Sequence, residues 1–425
     1  MRSALNLDLG YPNQILGQYT NDLKRLLSHG IQVLEMGETD AIAEPWDIVC
    51  LKGQRDRVLE QWVQFKTLGL GTTYIKGLWE CERIDYLSRC LFELDLEART
   101  NPILFEMPNS IWLVVEQLLY QFFNVSLIRQ HDAQKHYDLP TELYEGFLGA
   151  SMKYTTGDWS GLDPLPENLD VAQRQNLDYW AEELQIQSGD VILDCGCGWG
   201  TLPQYLLEHD LGQNLTYIGI TISEVQVDYC RKHFQKQPNF FFYNHSYHDS
   251  YREILAKSGV VQITKCIFLE TIEHGGIRNW PNILKQVRRV MVQSGILGIQ
   301  TIGSDHPSPV SDPYINRYIF PHGSIGSPSE LGRAIEANRQ FVEYKRRNIV
   351  ADYVLTLRAW NHFFQKNWSS IEPHIDCMIQ STPFSNSQEW KRHWEFYLLL
   401  CCGIFEAGTY AQVYQLTAKP NFFVN

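Results

Sequence analysis

The chain lacks most features that would tie it to nucleic acid, to a bilayer interior or to an oxidising compartment. Among its 425 residues, 36 Lys and Arg face 49 Asp and Glu, a net charge of −13. That balance argues against a partner held through phosphate contacts. It also gives no general attraction to anionic headgroups, so any membrane contact is expected to be local or apolar. The longest apolar run near the end, Phe396 to Phe405, is too short to span a bilayer. The opening Met1-Arg-Ser-Ala-Leu-Asn-Leu-Asp has no apolar core of the kind a signal peptide carries. Ten cysteines are scattered without a zinc-like paired spacing and read as small buried hydrophobes in a reduced compartment. Neither an internal repeat nor a low-complexity tract occurs. The expectation is a cytoplasmic protein with no metal site and no nucleic-acid partner. What is present is 44% hydrophobic residues, enough for a large core divided between two domains.

The stretch around which the rest is organised is V-I-L-D-C-G-C-G-W-G, Val191 to Gly200. Val191, Ile192 and Leu193 read as a buried strand ending on Asp194. Gly196, Gly198 and Gly200 follow at every second position, where the missing Cβ lets the backbone turn tightly and approach a ligand. Leu202, Tyr205, Leu206 and Leu207 then share a helical face. Strand, glycine turn and helix open a nucleotide-binding α/β fold. The spacing is G-x-G-x-G and not the dinucleotide fingerprint G-x-G-x-x-G. After a strand, D-x-G-x-G-x-G is the usual first motif of S-adenosylmethionine (SAM) methyltransferases, so SAM is the expected cofactor.

Further strands are predicted at Tyr217 to Ile220, Phe240 to Tyr243, about Ile263 to Leu269 and Ile296 to Thr301, with helices between them. The expected fold is α/β, a Rossmann-like, mostly parallel sheet covered on both faces. Helices are also predicted from about Ser329, from Asp352 and over Trp390 to Phe405, and a last strand over Tyr410 to Thr417. Residues 1–125 lack the strand–helix rhythm and read as a smaller helical domain, with 126–425 as the catalytic domain. Ile111 to Ile128 forms an amphipathic helix whose apolar face packs on a neighbouring helix or meets lipid.

Several stretches together resemble the bacterial cyclopropane-fatty-acyl-phospholipid synthases and the mycolic acid cyclopropane synthases. They include H-Y-D-L (His136 to Leu139), L-D-C-G-C-G-W-G, G-I-T-I-S-E-V-Q, I-E-H-G, T-I-G-S (Thr301 to Ser304) and D-P-Y-I-N-R-Y-I-F-P-H-G. A-D-Y-V-L-T-L-R-A-W and Y-L-L-L-C-C-G-I-F add to these, and the N-terminal G-L-G-T-T-Y-I-K-G-L-W-E-C-E-R-I-D is similar to the helical domain of the phospholipid-acting branch. The resemblance implies methyl transfer from SAM to a cis double bond of an unsaturated phospholipid, loss of a proton from the new methyl, and ring closure. It also implies a bicarbonate ion as proton acceptor, peripheral membrane contact and a homodimer.

Residue by residue, the resemblance assigns Tyr154 and Thr155 to the methionine end of SAM, beside Asp194 and the Gly196, Gly198 and Gly200 turn. Thr221 and Gln226 match ribose positions, and Ser246 and Tyr247 fall where adenine is met, although the local sequence departs from the family there. Glu273, followed by His274, aligns with the essential acid that holds bicarbonate; Tyr353 and the Ile302 backbone align with further contacts. The family's Cys is here Thr156, tolerable if its contact is through the backbone amide. A bicarbonate-binding His is here Gln300, which donates a hydrogen bond but cannot relay a proton. Glu270 is an acid where the family has a small residue; it either pairs with Glu273 to make a protein-borne base or points to solvent. Tyr353, Tyr137 and Tyr318 are candidates to face a developing carbocation.

Two other functions fit the motifs. One is a SAM-dependent C- or N-methyltransferase acting on a soluble unsaturated or amine substrate, since the fold hosts both. The other is a lipid- or SAM-binding protein without turnover, which the intact Glu273 and glycine motif disfavour.

Overall fold

The computed structural model describes residues 25–36, 43–94, 138–212, 214–305, 311–321, 323, 325–408 and 410–422. Near the N-terminus, β1 (Val33–Glu35), β2 (Ile48–Cys50) and β3 (Trp79–Glu80) form a small sheet accompanied by α1 (Arg55–Phe65), α2 (Thr67–Ile75) and α3 (Ile84–Glu93). Periodicity predicts only helices here, because strands of two or three residues are too short to show an alternation. The segment 111–128 lies outside the described residues, as do His136 and Tyr137.

Helices α4 (Thr141–Leu148) and α5 (Leu169–Glu183) lead into alternating strands and helices: β4 (Val191–Cys195), α6 (Thr201–Glu208), β5 (Thr216–Thr221), α7 (Glu224–His233) and β6 (Phe240–Asn244). The alternation continues with α8 (Arg252–Lys257), β7 (Ile263–Leu269), α9 (Trp280–Val290) and β8 (Met291–Gly303). Then come α10 (Pro313–Tyr318), α11 (Pro328–Glu336), β9 (Phe341–Asn348), α12 (Val350–Met378), α13 (Ser387–Ala407) and β10 (Gln412–Pro420). The seven main strands lie in the order β6-β5-β4-β7-β8-β10-β9. The first five are mutually parallel, and β10 runs antiparallel to both β8 and β9.

Alternate side chains leave each strand on opposite faces. Leu193, Ile218, Ile220 and Phe268 pack with Trp280 and Ile283 of α9, while Ile192, Tyr217, Phe242 and Ile267 pack with Leu177 and Trp180 of α5. Strand order reverses at β4, whose neighbours are β5 on one side and β7 on the other. In such sheets the ligand crevice opens at this switch point, beyond the carboxyl ends of the strands.

A third apolar cluster joins the N-terminal helices to α12 and α13. The contact is close: a Cβ on Gly403 of α13 would lie 2.6 Å from the Asp85 carbonyl oxygen, and one on Gly71 of α2 would lie 2.3 Å from the Tyr314 ring. Arg358 of α12 reaches Asp85 at 3.0 Å and Glu406 at 2.7 Å. Asp312 caps α10 by accepting from the N–H groups of Tyr314 and Ile315, and it also accepts from the Thr67 hydroxyl at 2.6 Å. All ten cysteines are free thiols, most of them buried. Among the described residues no helix is long and apolar enough to cross a membrane.

Candidate active site

The turn after β4 holds Gly196, Gly198 and Gly200 at φ 94°, 53° and 82°, a region that disfavours any side chain. Beside it opens a cavity. Its wall is drawn from the ends of the strands. Tyr154 and Thr155 precede α5; Asp194, Gly196 and Gly198 follow from β4; Thr221 ends β5 and Gln226 stands in the first turn of α7; Tyr247 follows β6; Glu270 and His274 follow β7. Met152, Lys153 and Trp199 also line it, and motif reading did not single them out. Two expected residues stand apart from the wall. Gly200 caps the start of α6, and the Ser246 hydroxyl accepts from the His248 N–H in a turn.

Three polar atoms of this wall are buried without a partner among the described residues: Asp194 Oδ1, Thr155 Oγ1 and Trp199 Nε1. Buried polar groups are normally paired, so an unpaired cluster around a cavity points to a ligand that completes it. A carboxylate acceptor together with a hydroxyl and an indole N–H suits the ammonium and carboxylate of the methionine end of SAM. The Thr221 hydroxyl at the end of β5 donates to Gln226 Oε1 of α7 at 2.7 Å, which sets two polar side chains together on this wall. A Cβ on Gly198 would meet nothing within 4 Å, so the backbone there is open to a ligand. The residues present fit SAM.

Burial pushes the Asp194 carboxyl up to about 7, against the Tyr217 hydroxyl, which donates to its Oδ2 at 2.5 Å. In the unfolded chain an aspartate ionises near about 4, so between these values unfolding releases a proton and the ligand-free protein loses stability as pH rises. A bound ammonium favours the carboxylate, so SAM binding should release a proton near neutrality. SAM affinity is therefore expected to rise between about pH 6 and pH 8. Calorimetry in two buffers of different ionisation enthalpy reads the proton release, and a pH-independent affinity would refute it.

Behind the cavity lies a buried network centred on Glu270, which is 7% exposed. Its Oε1 accepts from the Thr156 N–H at 3.1 Å and from Gln300 Nε2 at 2.7 Å, and Tyr353 hydrogen-bonds to the same carboxylate. Of the two readings of Glu270, the solvent-facing one is thus excluded. Gln300 Oε1 accepts from Asn176, Trp180 and Gln415 at 3.2, 3.0 and 2.7 Å, which fixes its amide nitrogen toward Glu270. The Thr156 hydroxyl turns away, donating to the Gly157 carbonyl at 3.1 Å, so Thr156 serves Glu270 through its amide alone. Lys153 donates to the Thr156 carbonyl at 2.5 Å and to Gln173 Oε1 at 2.8 Å. Burial pulls its ammonium down to about 7, while the nearby Glu270 charge pushes it up.

Glu273 Oε1 accepts from the Ile302 N–H at 3.0 Å and its Oε2 from the Thr301 hydroxyl at 3.1 Å. Burial pushes this carboxyl up to about 8, and the Glu270 charge acts in the same direction. His274 is pulled down to about 4 by burial, so its imidazole is neutral at pH 7. Glu273, Gln300, Thr156, Ile302 and Tyr353 therefore form a layer behind the cavity, reached through Glu270. The Tyr353 ring packs on Phe405 at 4.6 Å, whereas Tyr318 packs among Tyr314, Phe384 and His393, apart from the cavity wall.

Comparison with known proteins places the chain. The family model described as mycolic acid cyclopropane synthetase matches residues 126–416. The chain is 29% identical over 347 residues to the cyclopropane-fatty-acyl-phospholipid synthase of Escherichia coli K12, covering 81% of each chain. It is 28% identical over 324 residues to a sphingolipid C9-methyltransferase of Komagataella phaffii, covering 71% of this chain and 62% of that one. A cyclopropane synthase structure from Mycobacterium tuberculosis shares the fold at TM-score 0.56 and 22% identity, over 68% of this chain and 97% of that one. A coclaurine N-methyltransferase structure bound to N-methylheliamine and S-adenosylhomocysteine shares it at TM-score 0.63 and 18% identity, over 82% and 98%. With the matched stretch running through the glycine turn and the main sheet as far as the first half of β10, the chain belongs to the mycolic acid cyclopropane synthetase family and is a SAM-dependent methyltransferase of the cyclopropane-fatty-acyl-phospholipid synthase type.

Proposed function

We propose that the enzyme adds a one-carbon unit to the cis double bond of an unsaturated phospholipid acyl chain, giving a cyclopropane or a methyl branch. The observation that carries this reading is a pair of buried carboxyl groups, Glu270 on the wall of the SAM cavity and Glu273 in the layer behind it. Methylation of an amine or hydroxyl needs at most a proton acceptor. Methylation of an alkene leaves a carbocation, and fixed negative charge in a site that excludes water stabilises it far better than water does. Rings add to this: Tyr154 on the wall is backed by Tyr144 at 5.6 Å and Trp360 at 5.2 Å.

When bound, SAM supplies an electrophilic methyl. Tyr154, Thr155, Asp194 and the Gly198 N–H hold its methionine end, the Gly196 N–H being given to the Ile220 carbonyl at 2.8 Å, with Thr221 and Gln226 at its ribose and Tyr247 at its adenine. Glu273 keeps the Ile302 end of β8 in place and offers a carboxyl that ionises as positive charge develops nearby, and neutral His274 closes the wall without adding a competing cation. In this reading residues 126–425 carry the chemistry and 1–125 dock the lipid surface from the cytoplasm, in a homodimer at the membrane periphery. The names of the bacterial and yeast relatives, a phospholipid cyclopropane synthase and a sphingolipid methyltransferase, support a lipid acceptor with either outcome. Bicarbonate, the remaining expectation, would need donors at Thr156, Gln300 and Tyr353 that already serve Glu270.

Methyl-labelled SAM offered with vesicles of unsaturated phospholipid tests the proposal. Label is expected in the acyl chains, and NMR then separates ring from branch. Label in a soluble amine or alkene in place of lipid would favour the small-molecule methyltransferase, to which the neutral Gln300 lends weight. Tight SAM binding with no transfer to any acceptor would point to a binding protein.

A further inference from the structure

We propose that Glu270 is the proton acceptor of the reaction, a side-chain carboxylate standing where the resemblance places bicarbonate, so that the enzyme works without that ion. This rests on the lipid-methylation reading for its substrate, and on three independent observations for the residue.

The first is convergence. Of the donors expected to hold bicarbonate, the Thr156 N–H, Gln300 and Tyr353 all meet the Glu270 carboxylate, and the Ile302 N–H goes to Glu273. A second trigonal anion has no donors left there and would face two acids. The second is polarity. Three donors saturate Gln300 Oε1, so the face it turns to Glu270 is its N–H₂, which stabilises a carboxylate and cannot take the proton from it. The third is backbone conformation. Glu270 sits at φ 53°, where glycine is comfortable and a side chain is strained. A residue held in that region at the wall of a cofactor cavity is there for what its side chain does. Burial raises the Glu270 carboxyl above its usual range, which adds basicity, while the charge of Lys153 and the three hydrogen bonds offset part of that rise by favouring the carboxylate.

The step balances as follows. Methyl addition uses the alkene π pair and leaves the second alkene carbon cationic. Glu270 removes one proton from the new methyl, and the freed C–H pair bonds to the cationic carbon and closes the ring. The carboxylic acid so formed returns its proton to water once product leaves the cavity.

Two measurements test this. Carbon-13 bicarbonate is titrated by NMR into the protein saturated with S-adenosylhomocysteine, and methyl transfer to unsaturated phosphatidylglycerol vesicles is followed with and without bicarbonate in CO₂-depleted buffer. Wild type is expected to show no saturable bicarbonate binding and no bicarbonate dependence. Glu270→Gln should lose about 10²–10⁴-fold in turnover, the usual contribution of a general base. Glu270→Gly should empty the cradle, bind bicarbonate saturably and recover turnover as the ion is added. SAM affinity is expected to hold in both variants; its loss in both would make Glu270 a structural prop and overturn the proposal. Saturable bicarbonate binding by wild type, or full turnover of Glu270→Gln, would overturn it as well. The binding pattern as expected with no label in the vesicles would sink the lipid reading and leave the cradle assignment standing.

Discussion

Glu273→Gln should reduce turnover by about 10²–10³-fold, the scale seen when one preorganised electrostatic partner is removed, with SAM affinity nearly unchanged. The substitution is nearly isosteric. Its oxygen can still accept from the Ile302 N–H, now at 3.0 Å from Glu273 Oε1, and its amide nitrogen can donate to the Thr301 hydroxyl, now at 3.1 Å from Oε2. The strand end thus keeps its anchor, and stability should change by no more than about 1 kcal/mol. What disappears is an ionisable carboxyl behind Glu270, which burial holds up to about 8 and which a cation developing in the cavity would draw toward its charged form. That cation loses part of its stabilisation. Glu273 stands outside the cavity wall that holds SAM, which is why the dissociation constant is expected to stay put. Label transfer and calorimetry on the same preparation read the two quantities, and a fully active variant would remove Glu273 from the mechanism.

Gly196→Ala should be the more damaging change to cofactor binding, with at least about 100-fold weaker SAM affinity, or about 3 kcal/mol. A Cβ at this position would lie 2.2 Å from Thr271 Cγ2 and 2.8 Å from Thr271 Cβ. Thr271 cannot swing aside freely, because its hydroxyl donates to the Cys195 carbonyl at 2.6 Å, and it directly follows Glu270 in the chain. The φ of 94° adds its own strain for a side chain. Together these should lower stability by about 2–4 kcal/mol. Gly198→Ala provides the contrast. Its Cβ would meet no protein atom within 4 Å, so the variant should fold with a loss near about 1 kcal/mol and still bind SAM poorly, because the new methyl stands in the cavity. Thermal unfolding separates the two variants; equal melting temperatures would mean that Thr271 yields more easily than its hydrogen bond implies.

The glycine turn was legible because its chemistry is local: three positive φ angles in five residues demand three glycines, wherever the rest of the chain goes. The parallel strands were legible from their continuous apolar runs. β9 was not, because its residues Glu343, Lys345, Arg346 and Arg347 leave neither an apolar run nor a clean alternation, as suits an edge strand that must not pair further. The pairing of Glu270 with Gln300 was equally hidden. They are 30 positions apart and meet because β7 and β8 run side by side, with the Glu270 N–H donating to the Gln300 carbonyl at 2.7 Å. Motif comparison could mark each residue as a departure from the family, but only the strand register makes the two departures one arrangement. Lys153 escaped notice because a lysine in a polar stretch ordinarily points to water, and nothing local signals that this ammonium is buried on carbonyl oxygens.

The seam between the N-terminal helices and α10, α12 and α13 sets a limit on how the enzyme can move. Parts that swing apart meet through surfaces that can separate and re-wet at little cost. Here Gly403 lies against the Asp85 carbonyl, Gly71 sits under the Tyr314 ring, and Arg358 and Thr67 tie charged groups across the joint. Such a joint resembles the inside of a domain, so these helices travel with the scaffold that carries Tyr353 as one rigid body. On the lipid-methylation reading, the passage that admits a long-chain acceptor must therefore be opened by other segments of the chain, and the N-terminal helices act as its fixed frame.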